Sequence, residues 1–297
     1  MKLENLNTEQ RNMDTIDIDR LNTLEVLEKI NNEDLKVAKI MQNNLAEISD
    51  VIDYIWPTFE KGRLFYVGAG TSGRLAVVDS SECPPTFGVS EDKVVGVIAG
   101  GIDAIFNAKE GVEDSLNLCE EDLKAYNFSK NDILIGIAAS GRTPYVIGGL
   151  KYANSLGSKT VAISNVSNSE ISSVAKKSIE IITGPEAITG STRMKAGTSQ
   201  KLVLNMISTT LMIKLGKVYT NLMVDIQPKN EKLVNRSYTI IMHSVDCELD
   251  VAKDLFIKSD KNVKVAIVMG ILNLDKENAE KLLETNSNIS KLIHDSK

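Results

Sequence analysis

The sequence predicts an α/β protein with a doubly wound parallel sheet. From residue 64 onward, short and nearly continuous apolar runs alternate with helical patterns. Such runs are typical of strands buried on both faces, and the alternation favours right-handed crossovers in one open sheet. A glycine-rich turn follows the first run and a hydroxyl-rich turn follows the third. Because such sheets bind ligands at the carboxyl ends of their strands, we expect the site there.

Composition favours a globular protein that binds a charged small molecule. The chain has 297 residues, of which 42% are hydrophobic, a net charge of -6 and no basic block, so nucleic acid is not the expected partner. No apolar run reaches signal-peptide or membrane-spanning length, so we expect a cytoplasmic protein without a membrane partner. The three cysteines and two histidines lack the spacing of a disulfide framework or a zinc site, and we expect neither.

Two amphipathic helices are predicted before the sheet, within residues 1–54. Apolar residues recur at helical spacing from Leu21 to Ile30, so the first helix should begin near Asp19. A second is predicted from about Asp34 to Tyr54, where Trp56-Pro57 closes it. Its apolar stripe comprises Leu35, Ala38, Met41, Leu45, Ile48 and Ile52. These helices are expected either to cover the sheet or to pack on a second subunit.

The α/β domain is predicted over residues 55–222 with about five strands, by the usual size of such sheets. The strands are placed at Leu64–Val67, Val94–Ala99, Ile133–Ala138, Thr160–Ser164 and Ile179–Thr183. Helices are predicted between them at Gly73–Ser81, Asp103–Ala125 and Thr143–Leu156. The alternation of these two sets defines the doubly wound sandwich.

Only helices are predicted after the sheet. A long segment from about Gln200 to Leu215 is apolar on more than one face, so it should be buried, with a dimer interface as one place for it. Further helical patterns cover Lys232–Met242, Val263–Leu272 and Asn278–Leu283, and residues 223–297 are therefore interpreted as a small helical bundle.

The glycine-rich turn Gly68-Ala69-Gly70-Thr71-Ser72-Gly73-Arg74 is the first candidate ligand site. Its glycines let the backbone approach a ligand, and the helix that follows presents free amides to an anion. The spacing matches neither the dinucleotide fingerprint nor a Walker loop. Gly70, Thr71 and Ser72 instead suit a terminal phosphate. Taken alone, such a turn is common in α/β proteins and is weak evidence.

The hydroxyl-rich turn Ser140-Gly141-Arg142-Thr143 is the second candidate. Thr143 before Pro144 is also a good helix start, so capping alone would account for it. Two such turns at carboxyl strand ends could hold one phosphate from two sides, which favours the functional interpretation.

Two groups of carboxylates are candidates for proton transfer. Glu82 precedes Cys83-Pro84-Pro85, and because prolines should end the helix, Glu82 is expected at a helix end on the ligand side of the first turn. Glu113 lies in a polar stretch where the pattern alone predicts a solvated helix face and does not separate it from Glu110 or Asp114. The two histidines, His243 and His294, fall in the helical tail and are expected at the surface or in packing.

Three stretches of the sequence are distinctive: Gly68–Arg74, the block Asp79-Ser80-Ser81-Glu82-Cys83-Pro84-Pro85-Thr86-Phe87-Gly88, and the later Gly190-Ser191-Thr192-Arg193-Met194-Lys195-Ala196-Gly197-Thr198. Together they resemble the N-acetylmuramic acid 6-phosphate etherase family. The Ser-Glu-Cys-Pro-Pro-Thr-Phe-Gly block is highly specific, the similarity covers nearly the whole chain, and departures such as Ala76 and Val78 are conservative. The family has one sugar isomerase (SIS) domain with helices at both ends. The glucokinase regulatory protein joins two such domains, and this chain has room for one.

The resemblance implies a lyase that removes D-lactate from N-acetylmuramic acid 6-phosphate to give N-acetylglucosamine 6-phosphate, in the recycling of cell-wall sugar. It implies elimination followed by hydration, without a redox cofactor or metal, in a homodimer whose subunits complete each other's sites. The family's two functional glutamates map onto Glu82, the proton donor to the departing oxygen, and Glu113, its catalytic partner. Which of them takes the C2 proton stays open.

Two other functions stay open at this point. A non-catalytic sugar-phosphate sensor would share the fold, although a DNA-binding version would need a basic helix-turn-helix that residues 1 to 60 do not supply. An aldose-ketose isomerase would use the acidified C2 proton without expelling the C3 substituent, so analysis of the products separates it from an etherase.

Overall fold

The computed structural model describes residues 7–226, 228 and 230–295. These residues form two compact units. The first consists of residues 7–81 and 92–208, and the second of residues 82–91 and 209–295. Within the described part of the chain, no helix is both long enough and apolar enough to span a bilayer.

A five-stranded parallel sheet lies in the first unit. Its strands are β1 (Leu64–Gly68), β2 (Val94–Ile98), β3 (Ile133–Ala138), β4 (Lys159–Ser164) and β5 (Lys177–Glu180), and their spatial order is β2-β1-β3-β4-β5. Gly68 is in register with both Ile98 and Ile137, so three strands end at the same edge. The order reverses between β1 and β3, where doubly wound sheets form their ligand crevice. The predicted fold class is confirmed.

Four of the five strands lie within one residue of the predicted bounds at each end, and the fifth does not. The apolar run predicts Ile179–Thr183, whereas β5 spans Lys177–Glu180 with only Ile179 buried. This strand is at the sheet edge and pairs with β4 alone, so its polar residues can point to solvent. The apolar run therefore misplaces β5, although it places β2, the other edge strand, to within one residue.

Eight helices begin in the first unit: α1 (Thr23–Asn43), α2 (Leu45–Phe59), α3 (Gly70–Phe87), α4 (Asp103–Phe106), α5 (Leu118–Ala125), α6 (Pro144–Ser155), α7 (Glu170–Val174) and α8 (Lys195–Lys214). Short 3-10 turns lie at Asn7–Glu9, Met13–Thr15, Ile18–Arg20 and Val112–Asp114. The core combines one face of the sheet with α5 and α6 and includes Phe65, Leu134, Tyr145 and Leu150.

The predicted boundaries of the first two helices are wrong. A capping box between Asn22 and Glu25 starts α1, which continues unbroken to Asn43, and α2 continues through Pro57 to Phe59. Leu35 of the predicted buried stripe is 66% exposed. The inward face of α1 instead carries Glu33, whose partner Lys195 lies 162 positions further along the chain. Hydrophobic spacing alone gives no sign of a charged residue on the buried face.

The single helix predicted over Asp103–Ala125 is also wrong. The structure has the short helices α4 and α5 with the 3-10 turn Val112–Asp114 between them. Gly111 adopts a left-handed conformation with φ of 81°, which cannot continue a right-handed helix. The break turns this stretch into a loop that carries Glu113.

Helix α3 contradicts the prediction that the two prolines end it. Pro84 and Pro85 lie inside the helix, which continues to Phe87, and the Gly88 N–H donates to the Pro84 carbonyl over 2.9 Å. The φ angle of proline is compatible with a helix, so one further turn can form after it. Glu82 is therefore within the helix and not at its end.

The second unit is a helical bundle, as predicted. It contains α9 (Glu231–Val245), α10 (Leu249–Lys258), α11 (Val263–Leu272), α12 (Lys276–Thr285) and α13 (Ile289–Asp295), with an unpredicted hairpin of β6 (Val218–Tyr219) and β7 (Leu222–Met223). The bounds of α11 are those predicted, and seven successive residues from Val263 to Met269 are buried. Residues 227, 229, 296 and 297 of the predicted helical region lie outside the described residues.

Helix α8 begins at Lys195, five residues before the predicted start. Val203, Leu204, Ile207 and Leu211 are fully buried within the chain itself, so the apolar character of this helix does not require a second subunit.

Candidate functional site

A pocket of about 350 Å³ opens at the carboxyl edge of β1, β2 and β3. Its walls come from the turn after β1, the turn after β3 and the segments that follow β2. The lining residues are Glu9, Ala69, Gly70, Thr71, Ser72, Arg74, Ala99, Ala104, Ala108, Lys109, Glu110, Glu113, Ile137, Ala138, Ala139, Ser140, Thr143 and Thr192. The pocket thus occupies the point where the strand order reverses.

The first turn presents the amino end of α3 to this pocket. The first backbone bond at this end runs from the Gly73 N–H to the Ala69 carbonyl over 3.2 Å. The amides of Gly70, Thr71 and Ser72 precede it and have no helical acceptor. Free amides and the helix dipole together favour an anion at this position.

The hydroxyl group of Ser72 has an internal partner. Its Oγ donates to Gln200 Oε1 over 2.8 Å, Gln200 Nε2 donates to Asn165 Oδ1 over 3.0 Å, and Asn165 Nδ2 donates to Ser199 Oγ over 2.8 Å. All four side chains are buried. Because the proton of Ser72 is used in this network, the residue can offer a ligand its backbone amide but not its hydroxyl proton.

The second turn contributes Ser140 and Thr143 to the pocket, whereas Gly141 and Arg142 are not among the lining residues. Thr143 is the N-cap residue of α6, but its side chain makes no capping bond. Capping therefore does not account for this hydroxyl. In the part of the chain that the structure describes, the hydroxyls of Thr71, Ser140 and Thr143 have no hydrogen-bond partner, and each can donate to a ligand.

Charged side chains surround the opposite wall. Arg74 Nε donates to the Ile105 carbonyl over 2.8 Å, and Lys109 Nζ lies 3.2 Å from both the Gly100 carbonyl and Asp103 Oδ2. Glu113 is half-buried on the 3-10 turn and lines the same pocket as the exposed Glu110. Amides, hydroxyls, cations and carboxylates together can bind an anion and move protons nearby.

Comparison with known proteins places this arrangement in a family. A model described as the glucokinase regulatory protein N-terminal SIS domain matches residues 47–154, and the SIS domain model matches residues 120–209. A protein of Clostridium botulinum (strain Langeland) is 54% identical over 287 residues, which cover 96% of this chain and 95% of the relative. It is named N-acetylmuramic acid 6-phosphate etherase. This chain belongs to that etherase family.

Other relatives agree with this membership. An etherase of Clostridium botulinum (strain Eklund 17B) is 53% identical over 98% of this chain and 97% of its own length. Among solved structures, a putative phosphosugar isomerase of Bacteroides fragilis has a TM-score of 0.51 at 16% identity, covering 67% of this chain and 95% of that one. At that identity the likeness shows the shared fold alone.

The structure brings most of the predicted site residues of this chain to one pocket. Gly70, Thr71, Ser72, Ser140, Thr143 and Glu113 line the pocket. Glu82 does not line it and is exposed, about three turns after Gly70 on α3. Among the described residues, no group of three histidine, cysteine or acidic side chains could hold a metal ion.

Thr192 and Glu9 are polar pocket residues that the predicted set of site residues does not contain. Thr192 lies in the hydroxyl-rich loop before α8, which the sequence marks as unusual, and Glu9 lies in an N-terminal stretch that carries no motif beyond polarity. Only the fold brings these residues to the pocket.

Buried charges hold the Thr192 loop in place. Glu186 is fully buried and accepts the N–H groups of Lys195 and Ala196, each over 2.9 Å, at the start of α8. Burial raises the pKa of Glu186. The two hydrogen bonds act in the opposite direction, but their effect is smaller. The Lys195 ammonium pairs with Glu33, and both side chains are 3% exposed. Burial would raise the pKa of Glu33, but hydrogen bonds from Lys195 and Lys36 outweigh it and lower that pKa.

Proposed function

We propose that this protein cleaves the D-lactyl ether of N-acetylmuramic acid 6-phosphate, as a carbon-oxygen lyase in the recycling of cell-wall sugar. The observation that carries the proposal is 54% identity over 96% of the chain to proteins named for this activity. A pocket that combines anion-binding amides with a carboxylate supports it. A cytoplasmic location belongs to the proposal, since a charged sugar phosphate does not cross a bilayer unaided.

The phosphate is proposed to bind at the amino end of α3. The amides of Gly70, Thr71 and Ser72 and the hydroxyls of Thr71, Ser140 and Thr143 supply donors from two sides, which suits a group with three acceptor oxygens. The reacting carbons then face the wall that carries Glu113. Gly141 and Arg142 belong to the same turn and stay predicted phosphate-binding residues, although they are not among the residues that line the pocket.

The proposed reaction is an elimination followed by a hydration. In the opened sugar the C1 aldehyde acidifies the C2 proton, a carboxylate removes that proton, and the C3–O bond breaks as lactate leaves with a proton from an acid. Water then adds at C3 and a proton returns to C2, so the balance is one water consumed per lactate released. We assign the proton on the departing oxygen to Glu82 and proton transfer at C2 to Glu113, and neither step requires a metal or redox cofactor.

We further propose that a second copy of the chain supplies Glu82. The family resemblance implies that subunits complete each other's sites, and Glu82 is not among the residues that line the pocket. Helix α1 carries an exposed apolar stripe of Leu24, Leu27 and Leu35, which are 65%, 57% and 66% exposed and recur at helical spacing. Exposed apolar side chains on one helix face favour a protein interface at that face. The division of the chain at residues 54 and 222 stays a prediction.

Release of D-lactate from N-acetylmuramic acid 6-phosphate by purified protein tests the activity. In heavy-oxygen water the label should enter C3 of the product, and in deuterated water deuterium should enter C2, because both steps use solvent. An unlabelled C3 would contradict elimination and hydration. Binding of the sugar phosphate without lactate release would indicate a sensor, and a ketose product would indicate an isomerase.

A mixing experiment tests the shared site. Glu82→Gln and Glu113→Gln should each lower turnover by about 10²- to 10⁴-fold, because each keeps its shape but loses acid-base capacity. If sites are shared, a mixed dimer has one intact site, so equal mixing after subunit exchange should restore about a quarter of wild-type activity. No recovery in mixtures that sedimentation shows to be exchanged dimers would contradict sharing, and a fully active monomer would remove the dimer proposal.

A further inference from the structure

We propose that Glu9 is a substrate-contacting residue that accepts a hydrogen bond from an uncharged donor of the sugar, a hydroxyl group or the acetamido N–H. The proposal rests on the proposed function, because it assigns part of the same pocket to a phosphorylated amino sugar. Glu9 lines that pocket at the end of the 3-10 turn Asn7–Glu9.

The segment that carries Glu9 is well anchored. We call residues 7–20 the N-terminal strap. Within it, Thr15 Oγ1 donates to the Ala187 carbonyl over 2.8 Å and Asn12 Nδ2 donates to the Pro185 carbonyl over 3.3 Å. The side chains of Thr8, Asn12 and Thr15 are all less than a tenth exposed. The strap is therefore fixed to the loop that leads to Thr192, and Glu9 is presented by ordered neighbours.

The facing loop leaves space for this carboxylate. A Cβ atom at Gly190 would lie 3.2 Å from Glu9 Oε2, which is a tight contact, and Gly190 has a φ of 75° that other residues rarely adopt. Thr192, two residues later, lines the same pocket. A glycine at this position thus allows the strap carboxylate and the loop to approach each other at the rim.

Glu9 lacks a partner of its own. Neither an ion pair nor a hydrogen bond joins its carboxylate to another residue within the described ranges. The two pocket cations are held elsewhere, Arg74 by the Ile105 carbonyl and Lys109 by the Gly100 carbonyl and Asp103. A carboxylate at a pocket wall with unused acceptor positions can receive a donor from a ligand.

Charge decides which part of the substrate Glu9 can contact. The substrate has two anionic groups, the phosphate and the lactyl carboxylate, and a carboxylate would repel both. Its remaining polar groups are hydroxyls and one amide N–H, which can donate hydrogen bonds to a carboxylate. Glu9 therefore has to face the uncharged middle of the sugar, away from the amides of α3, and it should contribute to binding of both substrate and product.

Calorimetric titration of two probes tests this assignment. The probes are N-acetylglucosamine 6-phosphate, which has donors and a phosphate, and inorganic phosphate, which lacks the sugar. Glu9→Ala should weaken binding of the sugar phosphate by about 10- to 100-fold, the effect of losing a hydrogen bond to a charged group, and Glu9→Gln should weaken it less. Inorganic phosphate should bind equally or more tightly, because a repelling charge is removed.

Two further variants keep the test specific. Glu60→Gln removes one negative charge from an exposed position between α2 and the start of β1, away from the carboxyl edge of the sheet, and should leave both affinities unchanged. Gly190→Ala should displace the Glu9 carboxylate and also strain the backbone of the loop, so it should weaken sugar-phosphate binding more in the wild-type background than in Glu9→Ala, where only the strain remains. Fluorescence of Trp56, the single tryptophan of the chain, shows whether each variant keeps a folded first unit.

The outcomes separate this inference from the proposed function. Equal affinity of wild type and Glu9→Ala for the sugar phosphate overturns the assignment, even if the protein releases lactate. An equal loss for both probes also overturns it, because that result indicates a general distortion of the pocket. Wild type that binds the sugar phosphate through Glu9 but releases no lactate would contradict the etherase proposal and leave the Glu9 contact supported.

Discussion

Replacing Ser72 and Ser140 by alanine should have different effects, although both serines lie in hydroxyl-rich turns of the same pocket. Ser72 donates to Gln200 inside a buried network, so Ser72→Ala leaves the Gln200 carbonyl oxygen without this donor. An unsatisfied buried acceptor costs about 1–3 kcal/mol of folding free energy. Ser140 has no internal partner in the described structure, so Ser140→Ala should change stability by less than about 0.5 kcal/mol.

Ligand binding should show the reverse order. Ser140→Ala removes a hydroxyl donor to the phosphate, and loss of a bond to a charged group corresponds to about 1.5–3 kcal/mol. Ser72→Ala keeps the backbone amide that faces the anion, so its direct effect on the phosphate should be smaller. Urea unfolding followed by Trp56 fluorescence measures the stability of the first unit, and titration with N-acetylglucosamine 6-phosphate measures binding.

A common result for both variants would refute this reasoning. If Ser72→Ala unfolds at the wild-type urea concentration and binds the sugar phosphate as weakly as Ser140→Ala, the Ser72 hydroxyl serves the ligand and not Gln200. Gln200→Leu provides an independent check, because it should lower stability and disturb Ser72 while Ser140 stays in place.

Other predictions concern the buried charges. Lys195→Met should cost less than the about 3–5 kcal/mol typical of a broken buried ion pair, because Lys36 still pairs with Glu33. Glu33→Leu in the same chain should recover part of that loss, as urea unfolding can show. The pKa of Glu33 is below its ordinary value of 4.5, so its contribution to stability should be present above that pH and decline as pH falls through the lowered value, which unfolding measured between about pH 7 and pH 3 would detect. Tyr145→Phe removes a 2.7 Å bond to the partly exposed Asp122 and should cost about 1 kcal/mol in the same assay, with little effect on lactate release.

The sequence is informative where one local signal dominates. Strands β1 and β3 are central and buried on both faces, so their apolar runs coincide with the observed bounds to within one residue. Helix α11 has the predicted bounds because Asn262 caps its start and Asn273, in a left-handed conformation, ends it. In these elements the preference of the residues and their tertiary packing agree.

Elsewhere a distant partner overrides the local pattern. Glu33 faces inward on α1 because Lys195 neutralises it, so the apolar positions that the spacing assigns to the core include the exposed Leu35. Glu82 remains inside α3 because two prolines permit a further turn. Neither outcome can be derived from a window of ten or twenty residues, since the deciding contact or backbone geometry is not encoded in hydrophobic spacing.

The hydroxyls of the pocket show how far motif chemistry can assign function. Thr71, Ser72, Ser140 and Thr143 are equivalent candidates in the sequence, because each follows a buried strand and can donate to an anion. Only their hydrogen-bond partners distinguish their roles. Gln200, which lies 128 positions after Ser72, accepts the hydrogen bond from the Ser72 hydroxyl. A donor that is already bonded in a buried network cannot serve a ligand without leaving an acceptor unpaired, whereas a donor without a partner gains from the ligand. The three hydroxyls without internal partners are therefore the ones that we expect to bind the phosphate.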